Sequence, residues 1–268
     1  MKFPGGVHPK EIGNGKASTR AKPVKTALPP DRVIIPLSQH IGAPCQCVVQ
    51  VGQSVAMGQV IGQAKGVVSA PVHATVSGRV VEITPCMLAN GISILSVIID
   101  NDFEDRWDAA LAPDPQIDQR TPKELAERVR DAGIVGMGGA TFPTAVKLSP
   151  PEDKPIDTVI LNGVECEPYL TADHRLMLEQ PETVLDGLRF ITKILSAKHA
   201  IIGIEQNKAD AIEAMRKVTA GTDITVVALP VKYPQGGEKQ LIYALTGRRV
   251  PNGALPMEVG VVVSNVAT

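Results

Sequence analysis

The chain has 268 residues, enough for one large or two medium domains with a buried core. Its longest apolar runs are far shorter than the roughly 20 residues of a membrane-spanning helix, and its first residues lack the apolar segment of a secretory signal. A formal net charge of −1 and an aromatic content of 3% argue against a nucleic-acid-binding surface, which needs basic residues and stacking platforms.

The first 30 residues predict an extended N-terminal arm, because they are rich in Lys, Gly and Pro and have little hydrophobic periodicity. His8 follows a Gly-Gly pair in this arm. A single His in a turn is more often a local hydrogen-bond partner than a metal ligand, so we assign it no metal.

Residues 31–100 contain short stretches of β-branched residues punctuated by glycines, a pattern that predicts strands. The stretches are 48–55, 58–62, 76–83 and 92–99. They predict an all-β barrel-sandwich domain of the biotinyl or lipoyl type. A swinging-arm acyl carrier is the main rival, since carriers expose a Lys between acidic or Met neighbours. Lys65 lacks such neighbours. We therefore expect a docking element whose 69–78 hairpin contacts the rest of the protein.

The four cysteines do not have the paired spacing of ferredoxin or zinc sites. Cys45 and Cys47 are two apart on a predicted strand and so face the same side, whereas Cys86 and Cys166 are isolated. We favour cysteines that pack in the structure or remain free thiols. A bound metal or cluster is the alternative. A cytoplasmic protein would have no structural disulfides.

Residues 101–120, with several Asp and Pro, predict a linker, and a helix follows it. Thr121 has the position of an N-cap, Pro122 that of the first helical residue, and Glu124 completes a capping box.

A glycine-rich loop follows this helix, and its Gly136, Gly138 and Gly139 let the backbone adopt positive φ and approach a ligand where a Cβ would collide. Pro143 is suited to begin another helix, which places Lys147 about one turn from its start. Free N–H groups and an ammonium at such a point favour an anionic ligand. The spacing matches neither the Walker loop nor the Rossmann fingerprint, so a plain structural turn remains an alternative.

Strands and helices alternate over the remaining chain, which predicts a parallel sheet in a Rossmann-like α/β domain spanning residues 121–268. The predicted strands and helices are 158–161, 182–196, 200–204, 208–220, 224–229 and 261–268, with another helix running to Leu245. Ligands of such sheets bind where strands end. The polar or glycine residues at these positions are Asn162, Glu165, Glu167, Tyr233, Gly236, Glu238, Ser264, Asn265 and Thr268.

Four segments in order resemble a known family: residues 136–147, 162–168, 233–238 and 264–268 are similar to the flavin- and NADH-binding segments of the 51-kDa-type flavoprotein subunit of respiratory complex I. Residues 3–9 and the β-rich part narrow the resemblance to the RnfC family of Rnf (Rsx) electron transport complexes. It covers essentially the whole chain. In that family the chain continues into an SLBB domain and a ferredoxin domain with two 4Fe–4S clusters, so this sequence resembles a truncated portion.

The resemblance implies hydride transfer from NADH to FMN and electron passage to iron–sulfur clusters. It places four residues in a flavin cradle: Gly136, Gly138, Gly139 and Lys147. Asn162 and Glu165 would lie at the flavin's edge, and Tyr233 and Gly236 in the same pocket. The phosphate or ribityl chain would be bound by Ser264, Asn265 and Thr268. Phe142, Glu167 and Glu238 are assigned to NADH. No residue is assigned to a metal. No residue is assigned a catalytic role either, because the flavin itself would carry out the hydride transfer.

The resemblance also implies a place in a membrane-bound, ion-translocating NAD:ferredoxin oxidoreductase. Its partners would be the other Rnf subunits, notably the iron–sulfur protein RnfB and the membrane subunits, at the cytoplasmic face of the bacterial inner membrane. Met137, Val164 and Gly237 replace an Arg and two carboxylates of the complex I pattern. The carboxylates at the strand ends are alternatively solvated loop residues, and the chain is alternatively a docking subunit without flavin.

Overall fold

The computed structural model describes residues 3–10 and 15–268. The parts of the predicted arm at 1–2 and 11–14 lie outside these residues. The chain divides into two compact units, which we call the barrel unit, Thr26–Val146, and the α/β unit, residues 1–25 with Lys147–Thr268. Among the described residues, no helix is both long and apolar enough to cross a bilayer.

The barrel unit contains seven strands in two antiparallel sheets. They are β1 (Arg32–Pro36), β2 (Gln46–Cys47), β3 (Ser54–Val55), β4 (Val60–Gln63), β5 (Val72–His73), β6 (Gly78–Met87) and β7 (Ser93–Asn101). One sheet has the order β1-β7-β6-β3 and the other β2-β4-β5. Side chains from both sheets, among them Ile35, Ile61 and Val97, form one buried core. The predicted all-β domain is confirmed.

One predicted strand of this unit is wrong in its extent. The stretch 48–55 forms a strand only at Ser54–Val55, because a turn interrupts it. Gly52 has a φ of +90° and donates its N–H to the carbonyl of Val80 at 2.7 Å. A left-handed residue at this position reverses the chain, which the alternation of apolar residues does not reveal.

Cys45 and Cys47 both contact the barrel core, as their spacing predicts. Cys45 is buried, and its thiol donates to the carbonyl of Ala70 at 3.0 Å. Burial raises the pKa of the Cys45 thiol. This cysteine therefore packs as a small apolar residue.

Helix α1 (Pro122–Asp131) begins with the predicted capping box. The N–H of Glu124 donates to the hydroxyl of Thr121 at 3.3 Å, and the N–H of Thr121 donates to the carboxylate of Glu124 at 2.8 Å. Residues 102–121 before it contain a bridge from Trp107 to Met57 and a short 3-10 helix, Ile117–Gln119, and the predicted linker at 101–120 stays a prediction.

The chain leaves α1 at Gly133, whose φ is +66°. A Cβ on Gly133 would lie 2.3 Å from the carbonyl oxygen of Pro71 and 3.0 Å from the ring of His73. The predicted hairpin at 69–78 therefore does contact a later part of the barrel unit. By their contacts α1 and the loop after it belong to the barrel unit, while the predicted domain boundary near residue 120 stays a prediction.

The α/β unit is built on four parallel strands, β8 (Thr158–Gly163), β9 (His199–Glu205), β10 (Ile224–Leu229) and β11 (Val261–Asn265), in the order β10-β9-β8-β11. Its helices are α3 (Ala172–Glu179), α4 (Pro181–Leu195), α5 (Ala209–Val218) and α6 (Glu238–Thr246). Helix α2 (Thr144–Lys147) begins directly after Pro143 and ends in this unit. The predicted parallel α/β fold is confirmed.

Helix α3 is the element that the sequence pattern does not reveal. It is eight residues long and has only two buried residues, His174 and Met177. His174 is held by a 2.7 Å hydrogen bond between its Nε2 and Asp210 of α5. A short helix whose packing includes a buried polar side chain lacks a clear apolar periodicity.

The N-terminal arm packs against the α/β unit. Residues 3–10 contain no helix or strand beyond a bridge from Val7 to Tyr233, whereas Gly15–Ser18 form a 3-10 helix. The N–H of Val24 donates to Glu179 of α3 at 3.0 Å. These contacts show that the arm is part of the folded α/β unit.

Candidate functional site

The loops after the carboxyl ends of β8, β9, β10 and β11 form the candidate site, which we call the carboxyl edge. Asn162, in β8, joins two of these loops. Its Nδ2 donates to the carbonyl of Gly236 at 2.9 Å, and its Oδ1 accepts from the N–H of Val164 at 3.2 Å. The predicted site residue Asn162 thus holds backbone in place.

A second contact joins the same two loops. The N–H of Gly236 donates to the Sγ of Cys166 at 3.3 Å, and burial raises the pKa of this thiol. A Cβ on Gly236 would lie 3.3 Å from that sulfur and 3.5 Å from Val164. Glycine at 236 therefore allows the two loops to approach closely, while its predicted place in a cofactor pocket stays a prediction.

The loop of residues 164–170 has two non-glycine residues in the left-handed region, Glu165 with a φ of 49° and Tyr169 with a φ of 70°. Two lysine side chains bind its carbonyl oxygens. The ammonium of Lys208 donates to Val164 at 2.7 Å, and the ammonium of Lys16 donates to Leu170 at 2.6 Å. Such a strained backbone persists only where its surroundings fix it.

Lys208 is 1% exposed and follows β9, and Glu205 at the end of β9 is 1% exposed. Their charged atoms are 3.6 Å apart. Burial raises the pKa of Glu205 and lowers the pKa of Lys208, while each charge opposes the shift of the other. Glu205 also accepts from the N–H of Lys232 at 3.1 Å, so this pair connects the loops after β8, β9 and β10.

Glu165 is buried, and one of its two carboxylate oxygens lacks a partner. Its Oε1 accepts from the N–H of Asp173 at 2.7 Å, whereas its Oε2 has no hydrogen-bond partner among the described residues. Burial raises the pKa of Glu165. Burial likewise raises the pKa of Asp173, which accepts from the Nδ2 of Asn265 at 2.7 Å. The predicted residues Glu165 and Asn265 are therefore brought to the same group of side chains.

Gln235, which follows β10, carries the other buried polar atom without a partner. The side chain is 1% exposed, and its Nε2 has no acceptor among the described residues. An unpaired buried donor is costly, about 1–3 kcal/mol, unless a bound molecule or water supplies an acceptor. Sequence analysis missed Gln235, although it lies within the predicted segment 233–238.

Lys147 and Glu238, which the resemblance assigns to different ligands, are paired. The ammonium of Lys147 lies 3.4 Å from the Glu238 carboxylate and donates to the carbonyl of Val263 at 2.9 Å. Both side chains are partly exposed, so either can turn toward a ligand. Their separate roles remain a prediction.

Tyr233 is held by the N-terminal arm. Its N–H and carbonyl form a pair of 2.7 Å hydrogen bonds with the backbone of Val7. The ammonium of the preceding Lys232 donates to the carbonyl of Phe3 at 2.7 Å and lies 3.5 Å from the centre of its ring. The tyrosine ring itself remains partly exposed.

The other predicted residues of the α/β unit differ in exposure. Ser264 is buried in β11, and the N–H of Thr268 donates to the carbonyl of Asn265 at 3.0 Å. Glu167 is exposed, with its carboxylate 3.9 Å from the Cys166 sulfur. Their roles in ligand binding stay predictions.

The glycine-rich loop lies in the barrel unit. The N–H of Gly136 donates to the carbonyl of Phe142 at 2.8 Å, which closes the loop, and Thr141 accepts from the N–H of Ile41 at 3.0 Å. Of the three glycines, only Gly138 has a positive φ, 70°. Gly136 and Gly139 do not use the positive φ that glycine permits. Gly136 still needs its small size, since a Cβ would lie 3.1 Å from the carbonyl of Ala140.

Four charged residues in or against the carboxyl edge were also missed: Lys16, Asp173, Glu205 and Lys208. The rule that ligands bind at strand ends applies to Glu205 and Lys208 as much as to Glu165, and would have found them. Lys16 carries no such signal, because it reaches residues 165–170 across about 150 positions of sequence. Within the described parts of the chain, no group of His, Cys, Asp and Glu is arranged to hold a metal ion.

Comparison with known proteins gives two family matches. A model described as the RnfC barrel sandwich hybrid domain matches residues 1–104, and one described as the Nuo51 FMN-binding domain matches residues 129–268. A chain from a crystal structure of H2-reduced NAD+-reducing [NiFe]-hydrogenase is 28% identical, with 55% of this chain and 29% of that chain covered and a TM-score of 0.45.

Two curated relatives match along 99% of this chain. The C subunit of the proton-translocating ferredoxin:NAD(+) oxidoreductase complex of Clostridium ljungdahlii is 50% identical, and 58% of it is covered. The C subunit of the Na(+)-translocating ferredoxin:NAD(+) oxidoreductase complex of Acetobacterium woodii is 48% identical, and 60% of it is covered. The chain thus spans about three fifths of these relatives. These matches confirm the family resemblance of the sequence motifs.

Proposed function

Because the chain belongs to the family of the Nuo51 FMN-binding domain, we propose that it binds FMN at the carboxyl edge of its parallel sheet. FMN, when bound, supplies two-electron chemistry with a nicotinamide and one-electron chemistry with iron–sulfur centres. The side chains of this protein bind and orient the cofactor. The proposal applies to the described α/β unit.

The observation that carries the proposal is the pair of buried, unpartnered polar atoms at this edge, Glu165 Oε2 and Gln235 Nε2. One is an acceptor, or a donor when protonated, and the other is a donor. A flavin ring carries carbonyl oxygens and a ring N–H along one side, so it offers partners to both. The contacts between Gly236 and residues 162–166 link the loops that bear these two side chains.

The other residues of the proposed site are assigned roles from the charge or polarity of their side chains. Lys147 supplies an ammonium to an anionic or carbonyl group of FMN, and Glu238 accepts a hydrogen bond from the dinucleotide. Asn162 holds the loops, and Ser264, Asn265 and Thr268 serve the phosphate or ribityl chain. Tyr233 is proposed to line the pocket, and Glu167 to contact NADH. The flavin and NADH roles that the family resemblance implies for Gly136, Gly138, Gly139 and Phe142 of the barrel unit stay predictions.

The wider function follows from the names of the relatives. We propose that the full protein is the NADH-oxidising subunit of an Rnf-type, ion-translocating NAD:ferredoxin oxidoreductase. In this role it passes electrons to two 4Fe–4S clusters and assembles with the iron–sulfur protein RnfB and the membrane subunits at the cytoplasmic face of the inner membrane. The alternative, a docking subunit without flavin, is disfavoured by the unpartnered atoms of Glu165 and Gln235.

FMN fluorescence quenching tests the proposal. We expect saturable binding of one FMN per chain, and about tenfold weaker binding by Gln235→Ala, because the buried amide donor is lost. Gln206→Ala, an exposed glutamine after β9, is the matched control and should bind as the wild type does. Bleaching of the bound flavin by NADH then tests the redox role. The absence of saturable FMN binding would refute the proposal, and binding without bleaching would favour the docking alternative.

A further inference from the structure

Lys16 of the N-terminal arm converges on three backbone carbonyls of the loop after β8. Its ammonium donates to Glu165 at 2.9 Å, to Glu167 at 2.9 Å and to Leu170 at 2.6 Å. An ammonium has three N–H donors, so these three bonds can use all of them. Lys16 therefore holds one side of the loop in a specific conformation.

The same loop is held from the sheet side by Lys208, and the two lysines share one acceptor. The carbonyl of Glu165 lies 2.9 Å from Lys16 and 3.5 Å from Lys208. Glu165 is also a left-handed residue, with a φ of 49°. Charge-assisted hydrogen bonds from two sides offset the backbone strain at Glu165. The unpartnered carboxylate oxygen of this residue is the one proposed to contact the flavin.

The arm around Lys16 is itself fixed to the α/β unit. The hydroxyl of Thr171 donates to that of Thr19 at 2.8 Å, and Arg175 donates to the carbonyl of Arg20 at 3.2 Å. The ammonium thus reaches the loop from a backbone that is held on helix α3 and the residue before it. These contacts limit the entropy lost when the lysine side chain is ordered.

We infer that Lys16 is a positioning residue for the cofactor: it fixes the backbone of residues 165–170 so that Glu165 presents its free oxygen to FMN. The inference rests on the proposed function. The matched FMN-binding domain begins at residue 129, so Lys16 lies outside it. The inference thus gives a residue outside this domain a part in its cofactor binding. The arm then serves cofactor binding as well as packing.

Lys16→Met, Lys16→Arg and the control Lys22→Met, an exposed lysine of the same arm, test the inference in the 268-residue chain. FMN affinity and amide hydrogen exchange are measured for each. We expect Lys16→Met to bind FMN about tenfold more weakly, the factor given by about 1.4 kcal/mol. Its amides at 165–172 should exchange faster without FMN, while exchange in the β strands is unchanged. Lys16→Arg, which keeps the charge and several donors, should recover most of the affinity.

The outcomes separate the inference from the proposed function. If the wild type shows no saturable FMN binding, the proposed function fails, and the exchange data alone decide whether Lys16 fixes the loop. If the wild type binds FMN and Lys16→Met binds equally tightly, the positioning role is overturned. Faster exchange throughout the protein, or an Arg variant as weak as the Met variant, would likewise overturn it in favour of a merely structural contact.

Discussion

The ammonium of Lys147 lies 3.4 Å from the carboxylate of Glu238, and both side chains retain access to solvent. This pairing joins the residue assigned to the flavin and the residue assigned to NADH. If the assignments hold, we expect each side chain to leave the other and bind a ligand group when the proposed site fills. Their substitutions separate the two roles.

Lys147→Met should weaken FMN binding by about 1.5–3 kcal/mol, because a charge-assisted hydrogen bond is lost. Glu238→Gln should leave FMN affinity nearly unchanged and raise the NADH concentration needed to bleach the flavin. FMN titration and anaerobic NADH titration measure the two effects. Lys154→Met, which breaks a similarly exposed ion pair with Glu258, is the matched control. Equal loss of FMN in the Lys147 and Glu238 variants would contradict the separate roles.

Glu165 should make the stability of the protein fall with rising pH. Its pKa is raised by burial above the ordinary 4.5, so the folded chain holds this proton more tightly than the unfolded chain. The resulting contribution to the free energy of unfolding is present below pH 4.5 and lost as pH rises through the folded pKa. Glu165→Gln should flatten that fall in urea unfolding measured from about pH 4 upward. Glu213→Gln, at an exposed position, should leave the pH dependence of stability unchanged. An unchanged pH dependence in Glu165→Gln would contradict the assignment of this fall to the buried Glu165 carboxyl.

Glu205 and Lys208 should be strongly coupled. Lys208→Met leaves a buried carboxylate without its ammonium, which costs about 3–5 kcal/mol. The double variant Glu205→Gln with Lys208→Met should cost much less than the sum of the single variants, since no unpaired buried charge remains. Urea denaturation of all four proteins gives the coupling free energy. Additive effects would show that the 3.6 Å pair does not interact energetically.

Gly133 and Gly187 should respond oppositely to alanine. Gly133→Ala adds a Cβ 2.3 Å from the Pro71 carbonyl at a φ of +66°, so it should destabilise the barrel unit by about 1–3 kcal/mol from strain alone. Gly187 lies in the exposed face of α4 with no atom within 4 Å of its ideal Cβ. Gly187→Ala should stabilise by about 0.5–1 kcal/mol. Thermal unfolding of both variants provides the check, and a tolerated Gly133→Ala would contradict the close packing.

Lys65 should remain unmodified. It lies exposed in the loop between β4 and β5, without the acidic or Met neighbours of an acyl-carrier lysine. Intact mass spectrometry of protein from cells with active lipoyl and biotin ligases should show no added acyl group. An added lipoyl or biotinyl mass would restore the carrier hypothesis for the barrel unit.

The sequence predicts most strands and helices because their periodicity and caps are local. The capping box at Thr121 and the apolar run of β8 are examples, and both are observed. The loops at strand ends follow from the same pattern, which is why Asn162 and Glu165 are found together at one edge. The side chain of Lys16 is different, since its partners are about 150 residues away and only the folded chain brings them together.

The backbone angles of the glycine-rich loop also escape sequence prediction. Three glycines permit positive φ, yet only Gly138 uses it in a loop that the hydrogen bond from Gly136 to Phe142 closes. Likewise, Gln235 is an ordinary polar residue in the sequence. Its importance comes from burial without a partner, which is a property of tertiary packing.

The α/β unit is discontinuous in sequence, with residues 1–25 and 147–268 separated by the whole barrel unit. During synthesis the barrel strands leave the ribosome before the α/β strands and can fold while the arm still lacks its partners. Phe3 meets Lys232 only after the 229 residues up to Lys232 have followed it in synthesis. Contacts of such long sequence separation form slowly. We therefore expect the arm to be the last part to become resistant to protease during refolding, after all three sheets have formed.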